Sequence, residues 1–162
     1  MEPIPREPSL NRVAGALALA GGLLCVGLAL LVTGSVLKRW ATNQGIEGDF
    51  ELVQISLALA VFSFLPLCQA RRGNIMVDTF TAGLPLRAQR ALDGVWDLVL
   101  AGVAGLIAWR LALGAMDSLR TGTTSMVLGL PVGYAIAACA LMAGFLAVVA
   151  GLTALERFRS PR

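Results

Sequence analysis

Long apolar runs without charge constrain this chain more than any other feature. Residues 13–37, residues 52–70 and residues 121–155 contain no charged side chain. About 20 apolar residues cross the hydrocarbon core of a bilayer as a helix, at roughly 1.5 Å each. Residues 95–116 form another apolar run, interrupted by one aspartate and one arginine. The pattern predicts an all-α integral membrane protein whose four transmembrane helices occupy about residues 13–37, 50–70, 95–116 and 130–155.

The composition favours the same class. Of the 162 residues, 57% are hydrophobic and 14% are charged, and the mean hydropathy is +0.76. A soluble domain has about a quarter of its residues charged, so too few polar groups are present here to cover a soluble surface. Residues 13–37 exceed the apolar core of about 7–15 residues that a cleavable signal has. We expect a retained first span and a single membrane domain over residues 1–162.

The basic residues predict the orientation of the chain. One side would hold the N-terminal tail, the loop between spans 2 and 3 and the C-terminal tail, with Arg6, Arg12, Arg71, Arg72, Arg87, Arg90, Arg157, Arg159 and Arg162. The other side would hold only Lys38, Arg39 and Arg120. Because basic residues concentrate in cytoplasmic loops, both termini are predicted to be cytoplasmic. The net charge of +3 then serves orientation and lipid contact, and nucleic acid is not expected as a partner.

The loop between spans 2 and 3 contains a short amphipathic segment. At 100° per residue, Met76, Val77 and Phe80 of residues 75–84 fall on one side, whereas Asp78 falls on the other. This pattern is typical of a helix that lies in the membrane interface. A soluble loop is the alternative.

Two charged side chains near the outer side allow more than one interpretation. Glu51 opens the second span, where a carboxylate is favoured by the helix dipole. Arg110 lies in the third span, where its side chain either snorkels to the interface or pairs with Glu51, Asp49 or Asp117 at the same level.

Two further segments have both a structural and a functional interpretation. The small residues Ala14, Ala18 and Gly22 recur every four positions, which favours close helix–helix packing in lipid but is also common in alanine-rich spans. The hydroxyl-rich turn at residues 120–125 either caps helices or meets an anion or a partner protein.

The residues of a catalytic or metal centre are not apparent. The chain has no histidine, and Cys25, Cys68 and Cys139 lie in or at the end of apolar runs without ligand spacing. Ion carriers usually place carboxylates within the membrane or break their helices in repeated halves, and neither pattern is convincing here. We therefore expect a subunit that is neither an enzyme nor a self-sufficient transporter, without cofactor or metal.

Three motifs give the chain a resemblance to a known family. They are Gly48-Asp49-Phe50-Glu51-Leu52, then Arg72-Gly73-Asn74-Ile75-Met76-Val77-Asp78 followed by Leu84-Pro85, and finally Thr121-Gly122-Thr123-Thr124-Ser125 followed by Leu128-Gly129-Leu130-Pro131. In this order, and over nearly the whole chain, they resemble the small membrane subunit (DctQ-type) of tripartite ATP-independent periplasmic (TRAP) transporters. The family often has glutamate or histidine where Asn74 stands, so a charge-dependent role of that position is not carried over.

The resemblance implies a function for the chain. It implies a bacterial inner-membrane protein that forms a heterodimer with a large membrane subunit, which carries the sodium and substrate sites. A periplasmic binding protein delivers an organic anion, and the small subunit braces the static part of an elevator. The structural or interface residues that we single out are Glu51, Arg71, Arg72, Asn74, Asp78, Arg87, Arg90, Arg110, Arg120, Thr123 and Thr124. The alternatives are the small subunit of a tripartite tricarboxylate transporter or a stand-alone membrane redox protein or enzyme.

Overall fold

Four long helices make up the protein in the computed structural model, which describes residues 8–71 and 86–159. They are α1 (Pro8–Thr42), α2 (Asp49–Ala70), α3 (Leu86–Thr121) and α4 (Val132–Arg159). All four are long and apolar enough to cross a membrane, which confirms the predicted number of spans. The predicted interfacial helix at residues 75–84 lies outside the described residues, and the cytoplasmic placement of the termini stays a prediction.

The first and third helices extend well past their predicted spans. α1 has 35 residues and α3 has 36, so each is more than 50 Å long at about 1.5 Å per residue. The hydrocarbon core is only about 30 Å thick. Hydropathy marks the part of a helix that suits lipid, whereas backbone hydrogen bonding continues into the headgroup region and beyond. The predicted bounds describe the apolar part of each helix and stay a prediction for the part that lies in lipid.

The helices form two hairpins that meet through α2 and α4. α1 packs along α2, α3 packs along α4, and α2 also packs against α4. Most of the buried apolar side chains are alanines, among them Ala60, Ala104, Ala143 and Ala150. Small side chains allow helix backbones to approach closely, and close packing is the main force between helices in lipid.

The seam between α1 and α2 differs from the predicted one by a single position. Ala14 and Ala18 are buried, as predicted, but the third member is Gly21 rather than Gly22. A Cβ on Gly21 would overlap the hydroxyl of Ser63 on α2, whereas a Cβ on Gly22 would meet nothing within 4 Å. Four-residue steps advance about 40° around a helix, so a seam that stays on one face has to alternate them with three-residue steps.

Candidate functional site at the two ends of α2

The N-terminal end of α2, which the predicted topology places on the outer side of the membrane, is hydrogen-bonded to the loop between α3 and α4. Glu51 lies in the first turn of the helix, and its side chain is half-buried. Its carboxylate accepts the backbone N–H of Val127 at 2.8 Å and the backbone N–H of Leu128 at 3.0 Å. Hydrogen bonds to an ionised acceptor are stronger than those between neutral groups. We call this arrangement the outer clasp.

The loop of the outer clasp is held in shape by its own hydrogen bonds. The backbone N–H of Ser125 donates to the carbonyl of Leu130 at 2.9 Å, and the N–H of Leu130 donates to Oγ of Ser125 at 3.0 Å. Gly129 has a φ of +63°, a conformation that glycine adopts without steric cost. The loop thus presents two adjacent N–H groups in one direction, and Glu51 accepts both.

Glycine 48 shows that two of the sequence motifs meet in space. It precedes α2 with a φ of +74°, and a Cβ at this position would overlap the side chain of Leu128. Leu128 therefore packs directly over Gly48, beside the carboxylate of Glu51. The motif at residues 48–52 and the motif at residues 128–131 form one contact. The sequence alone gave no sign of this pairing, because the two motifs lie more than 70 residues apart.

A second set of polar contacts connects α1 to the start of α2. Oγ of Ser35 donates to Oδ2 of Asp49 at 2.5 Å and accepts the backbone N–H of Ile46 at 3.2 Å. Oδ1 of Asp49 accepts the N–H of Phe50 at 2.8 Å. Ser35 is 2% exposed, so this small polar cluster closes the first hairpin. Asp49 is thereby used within its own hairpin.

The C-terminal end of α2, which the predicted topology places on the inner side of the membrane, is hydrogen-bonded to α3. Nε2 of Gln69 donates to Oδ1 of Asp97 at 2.8 Å. Gln69 is 2% exposed and Asp97 is 4% exposed. We call this pair the inner clasp. Sequence reasoning noticed Asp97 only as a charge near the start of a span; the available signal was that intramembrane carboxylates almost always face a partner inside the bundle.

The two clasps lie about one membrane thickness apart. Glu51 and Gln69 are separated by 18 positions along α2, or about 27 Å at helical rise. The hydrocarbon core measures about 30 Å. Both ends of α2 are consequently tied to the second hairpin at a separation that matches the thickness of a hydrocarbon core, and packing of α2 on α4 lies between them.

The proposed ion pair of Arg110 does not form within the described ranges 8–71 and 86–159. The two oxygens of Glu51 accept N–H groups of the loop, and Asp49 pairs with Ser35. The side chain of Arg110 is exposed on α3. The pairing hypothesis assumed that opposite charges at the same depth in the membrane form an ion pair. The carboxylate of Glu51 is instead hydrogen-bonded to the backbone of the loop.

The hydroxyl-rich turn closes the end of α3. Oγ1 of Thr121 donates to the carbonyl of Asp117 at 2.8 Å and lies 2.7 Å from Oγ1 of Thr123. The N–H of Thr123 donates to the carbonyl of Ser118 at 3.0 Å, and Gly122 has a φ of +64°. The bond to Ser118 satisfies a carbonyl that the helix end leaves open, as the capping alternative predicted.

The remaining predicted residues are scattered. Arg71 follows α2 and is exposed, and Arg120 is exposed in the last turn of α3. Thr124 lies in the outer loop, where it forms an isolated bridge with Pro131. Arg87 and Arg90 belong to the first turns of α3. Arg72, Asn74 and Asp78 lie outside the described residues.

The comparison with protein families identifies the family of this chain. A family model for the DctQ component of tripartite ATP-independent periplasmic transporters matches residues 28–160, which is more than half of the chain. The chain belongs to this family. A DctQ component is the small membrane subunit of a TRAP transporter, and the match covers all three residues of the outer clasp and both residues of the inner clasp. The chain matches no curated protein and no solved structure.

Family and fold together describe a transport subunit in the inner membrane. The four apolar helices make this DctQ component a multi-pass membrane protein. Its family works in tripartite systems, together with a large membrane subunit and a periplasmic binding protein. Over residues 8–71 and 86–159, the side chains of His, Cys, Asp and Glu form no cluster that could hold a metal ion.

Proposed function

We propose that this chain is a non-catalytic scaffold subunit that braces the large, elevator-type subunit of a sodium-coupled TRAP transporter during organic-anion uptake. The family match supports the role of a small permease subunit. The observation that carries the scaffold role is the attachment of α2 to the second hairpin at both ends. A bundle fixed at both membrane levels suits a part that stays still while another part moves.

The clasps resist sliding of one hairpin along the other. A shift of α2 along its axis would break the outer and inner clasps together, since they lie at opposite ends of the same helix. Breaking the inner clasp is the costlier of the two, because Gln69 and Asp97 are buried and no water is there to replace the lost partner. Small-residue packing alone would not impose the same register along the helix.

Exposed apolar faces offer the contact area for the large subunit. On α1 the side chains of Leu19, Leu23 and Leu30 are 66–70% exposed, and on α3 Trp96 and Trp109 are more than 60% exposed. Helices in lipid associate through van der Waals packing and hydrogen bonds. These faces are the proposed contact for the large subunit or for surrounding lipid, with Arg110 available for a carboxylate of the partner.

The outer loops are the proposed docking region for the periplasmic binding protein. The tip residue Met126 is fully exposed, and Val127 is 61% exposed, although the loop backbone is fixed by Glu51. Arg120 lies in the last turn of α3, where this loop begins. An ordered loop with an exposed tip can meet a partner without a large ordering cost. Docking here requires the predicted topology, with both termini cytoplasmic.

The inner face has the complementary role in this proposal. Arg71, Arg72, Arg87 and Arg90 would lie at the cytoplasmic headgroups, with Asn74 and Asp78 in the segment between them. Anionic headgroups attract basic residues placed next to a span. These contacts would hold the depth and tilt of the bundle.

The family match favours this role over the alternatives. A small subunit of a tripartite tricarboxylate transporter has different sequence signatures, whereas the DctQ model matches from residue 28 to residue 160. The match also favours a transport subunit over a membrane redox protein or enzyme.

Uptake by reconstituted transporter tests the proposal. The large subunit is reconstituted in liposomes with and without this chain, and the binding protein and labelled substrate are added. Uptake is measured under a sodium gradient, and an outward gradient serves as the control. We expect sodium-driven uptake only when the chain is present, and restoration when it is added back during reconstitution. Normal uptake by the large subunit alone, or uptake by this chain alone, would contradict a scaffold role.

A further inference from the structure

A cavity of about 500 Å³ opens beside the outer clasp. Its α2 wall consists of Glu51, Gln54, Ile55, Ala58 and Phe62, which share one helix face at spacings of three and four residues. Ala135 and Cys139 are among the residues of the opposite wall on α4, and Leu111 of α3 also contributes. Most of this surface is apolar, and its volume falls within the range of about 300–1,000 Å³ that is common for ligand sites.

The cavity is about one leaflet deep. From Glu51 to Phe62 the α2 wall covers 11 positions, or about 16 Å at helical rise. Half of the hydrocarbon core is about 15 Å. A helix of a partner protein would cross both leaflets and needs about 20 residues of contact length. The depth therefore suits the chain of a lipid from the leaflet at the Glu51 end better than a transmembrane helix.

The polar groups of the cavity follow the order of groups in a phospholipid. The carboxylate of Glu51 stands at the outer end, close to the hydroxyl-bearing Thr124 and Ser125. One turn deeper is the exposed carboxamide of Gln54, which has no hydrogen-bond partner in the part of the chain that the structure describes. Among residues 8–71 and 86–159, no basic side chain lines the cavity. The cavity thus has a hydrogen-bond acceptor at its outer end, a donor one turn deeper and an apolar wall below both. These match, in the same order, the ammonium group, the ester carbonyls and an acyl chain of a phospholipid.

We propose that this cavity binds one phospholipid whose headgroup carries a primary ammonium group, as in phosphatidylethanolamine. The ammonium group donates to Glu51, which has acceptor capacity beyond the two loop N–H groups because each carboxylate oxygen has two lone pairs. The amide of Gln54 donates to an ester carbonyl. One acyl chain lies along Ala58 and reaches Phe62. An anionic headgroup without ammonium would place its charge beside the carboxylate, which is unfavourable.

The bound lipid would also extend the outer clasp. Its ammonium group would neutralise Glu51 from the side opposite Val127 and Leu128, and its acyl chain would fill the gap between the two hairpins. Packing across that gap is otherwise incomplete, since the cavity separates α2 from α4 at this level.

Native mass spectrometry of the purified full-length chain, alone and in complex with its large subunit, tests the proposal. The protein is stripped of lipid and then offered phosphatidylethanolamine, phosphatidylcholine or phosphatidylglycerol with the same acyl chains. We expect one phosphatidylethanolamine per chain, retained at least about tenfold better than phosphatidylglycerol, with phosphatidylcholine between them. The intermediate rank follows because its quaternary ammonium is charged but has no N–H donor.

Four variants test the apolar part and the charged part of the site separately. Ala58→Phe fills the cavity and should abolish the tight lipid, whereas Ala112→Phe, on an exposed position of α3 outside the cavity, should retain it. Glu51→Gln should still bind lipid but should lose the preference for the primary ammonium group. Ala135→Leu is the second filling variant if Ala58→Phe does not fold.

Three results would overturn the proposal. Equal retention of phosphatidylethanolamine and phosphatidylglycerol would refute the role of Glu51. Wild-type retention by both filling variants would place the lipid elsewhere. Lipid bound to the isolated chain but absent from the complex would assign the cavity to the large subunit.

Discussion

The two ends of α2 use different chemistry for the same task. At the outer end, a half-buried carboxylate accepts two backbone N–H groups of a loop. At the inner end, two side chains that are at least 96% buried bond to each other across the helix interface. Water can replace a lost partner at the outer end but not at the inner end. The inner clasp should therefore matter more for stability, and the outer clasp more for the shape of a loop.

The largest effect is expected from Gln69→Leu. The substitution keeps the approximate size of the side chain but removes the donor to Oδ1 of Asp97, which is 4% exposed. Breaking a buried pair of this kind costs about 3 kcal/mol. Reversible unfolding of the purified chain in detergent measures the loss.

A second glutamine on the same helix provides the control. Gln54 is exposed, so Gln54→Leu should change the unfolding free energy in lipid-free detergent by less than about 0.5 kcal/mol. Equal losses of unfolding free energy for the two glutamine variants would show that the inner clasp contributes no more to stability than the exposed Gln54 does.

The second-largest effect is expected from Gly21→Ala, which tests the packing of α1 against α2 rather than a hydrogen bond. In Gly21→Ala the added methyl group would overlap Ser63, whose hydroxyl donates to the carbonyl of Ala60 at 2.7 Å. Overpacking of this kind costs about 1–3 kcal/mol. The same unfolding measurement applies.

The neighbouring glycine is the matched control for the α1–α2 seam. Gly22 has open space at its Cβ position, so Gly22→Ala should be neutral or should stabilise the helix by up to about 1 kcal/mol. If Gly22→Ala were the more damaging of the two, the predicted seam through Gly22 would be correct and the observed one wrong.

The outer clasp should show its effect in the loop rather than in global stability. Glu51→Gln replaces one acceptor oxygen by an NH₂ group, which cannot accept from Val127 or Leu128. Hydrogen exchange at these two amides should become several-fold faster, because their protection reports local opening. Glu47→Gln, at an exposed position of the preceding loop, should leave the rates unchanged. Unchanged exchange in the Glu51 variant would mean that the clasp does not hold the loop.

The smallest effect is expected at Arg110. Its side chain is exposed and forms no ion pair within residues 8–71 and 86–159, so Arg110→Leu should change the unfolding free energy of the isolated chain by less than about 0.5 kcal/mol. A larger loss of unfolding free energy would indicate that Arg110 forms an ion pair within the chain. A change seen only in the yield of complex with the large subunit would instead place Arg110 at that interface.

Sequence reasoning found the helices of this protein but not their contacts. The four spans follow from charge-free runs, because only a helix satisfies the backbone in lipid without a partner. Glu51 was recognised as a significant charge, but its partners Val127 and Leu128 are backbone groups more than 70 positions away. Backbone donors carry no signature in the side-chain sequence.

The inner clasp was missed for a related reason. Asp97 was visible as a carboxylate in an apolar run, and Gln69 ended the preceding one. Choosing between many polar groups at that level requires the rotation of each helix about its axis. The same ambiguity shifted the α1 seam from Gly21 to Gly22, which differ by only about 100° around the helix.

The central claim is that the two hairpins form one static body during transport. Spin labels at Trp40→Cys on α1 and Thr121→Cys on α3, both exposed positions, report the distance between the hairpins once the native cysteines are replaced. The measurement uses the reconstituted transporter with its large subunit, with and without sodium and substrate. If the two hairpins form one static body, the distance distribution is the same with and without sodium and substrate. A shift of several ångström on adding sodium and substrate would contradict it.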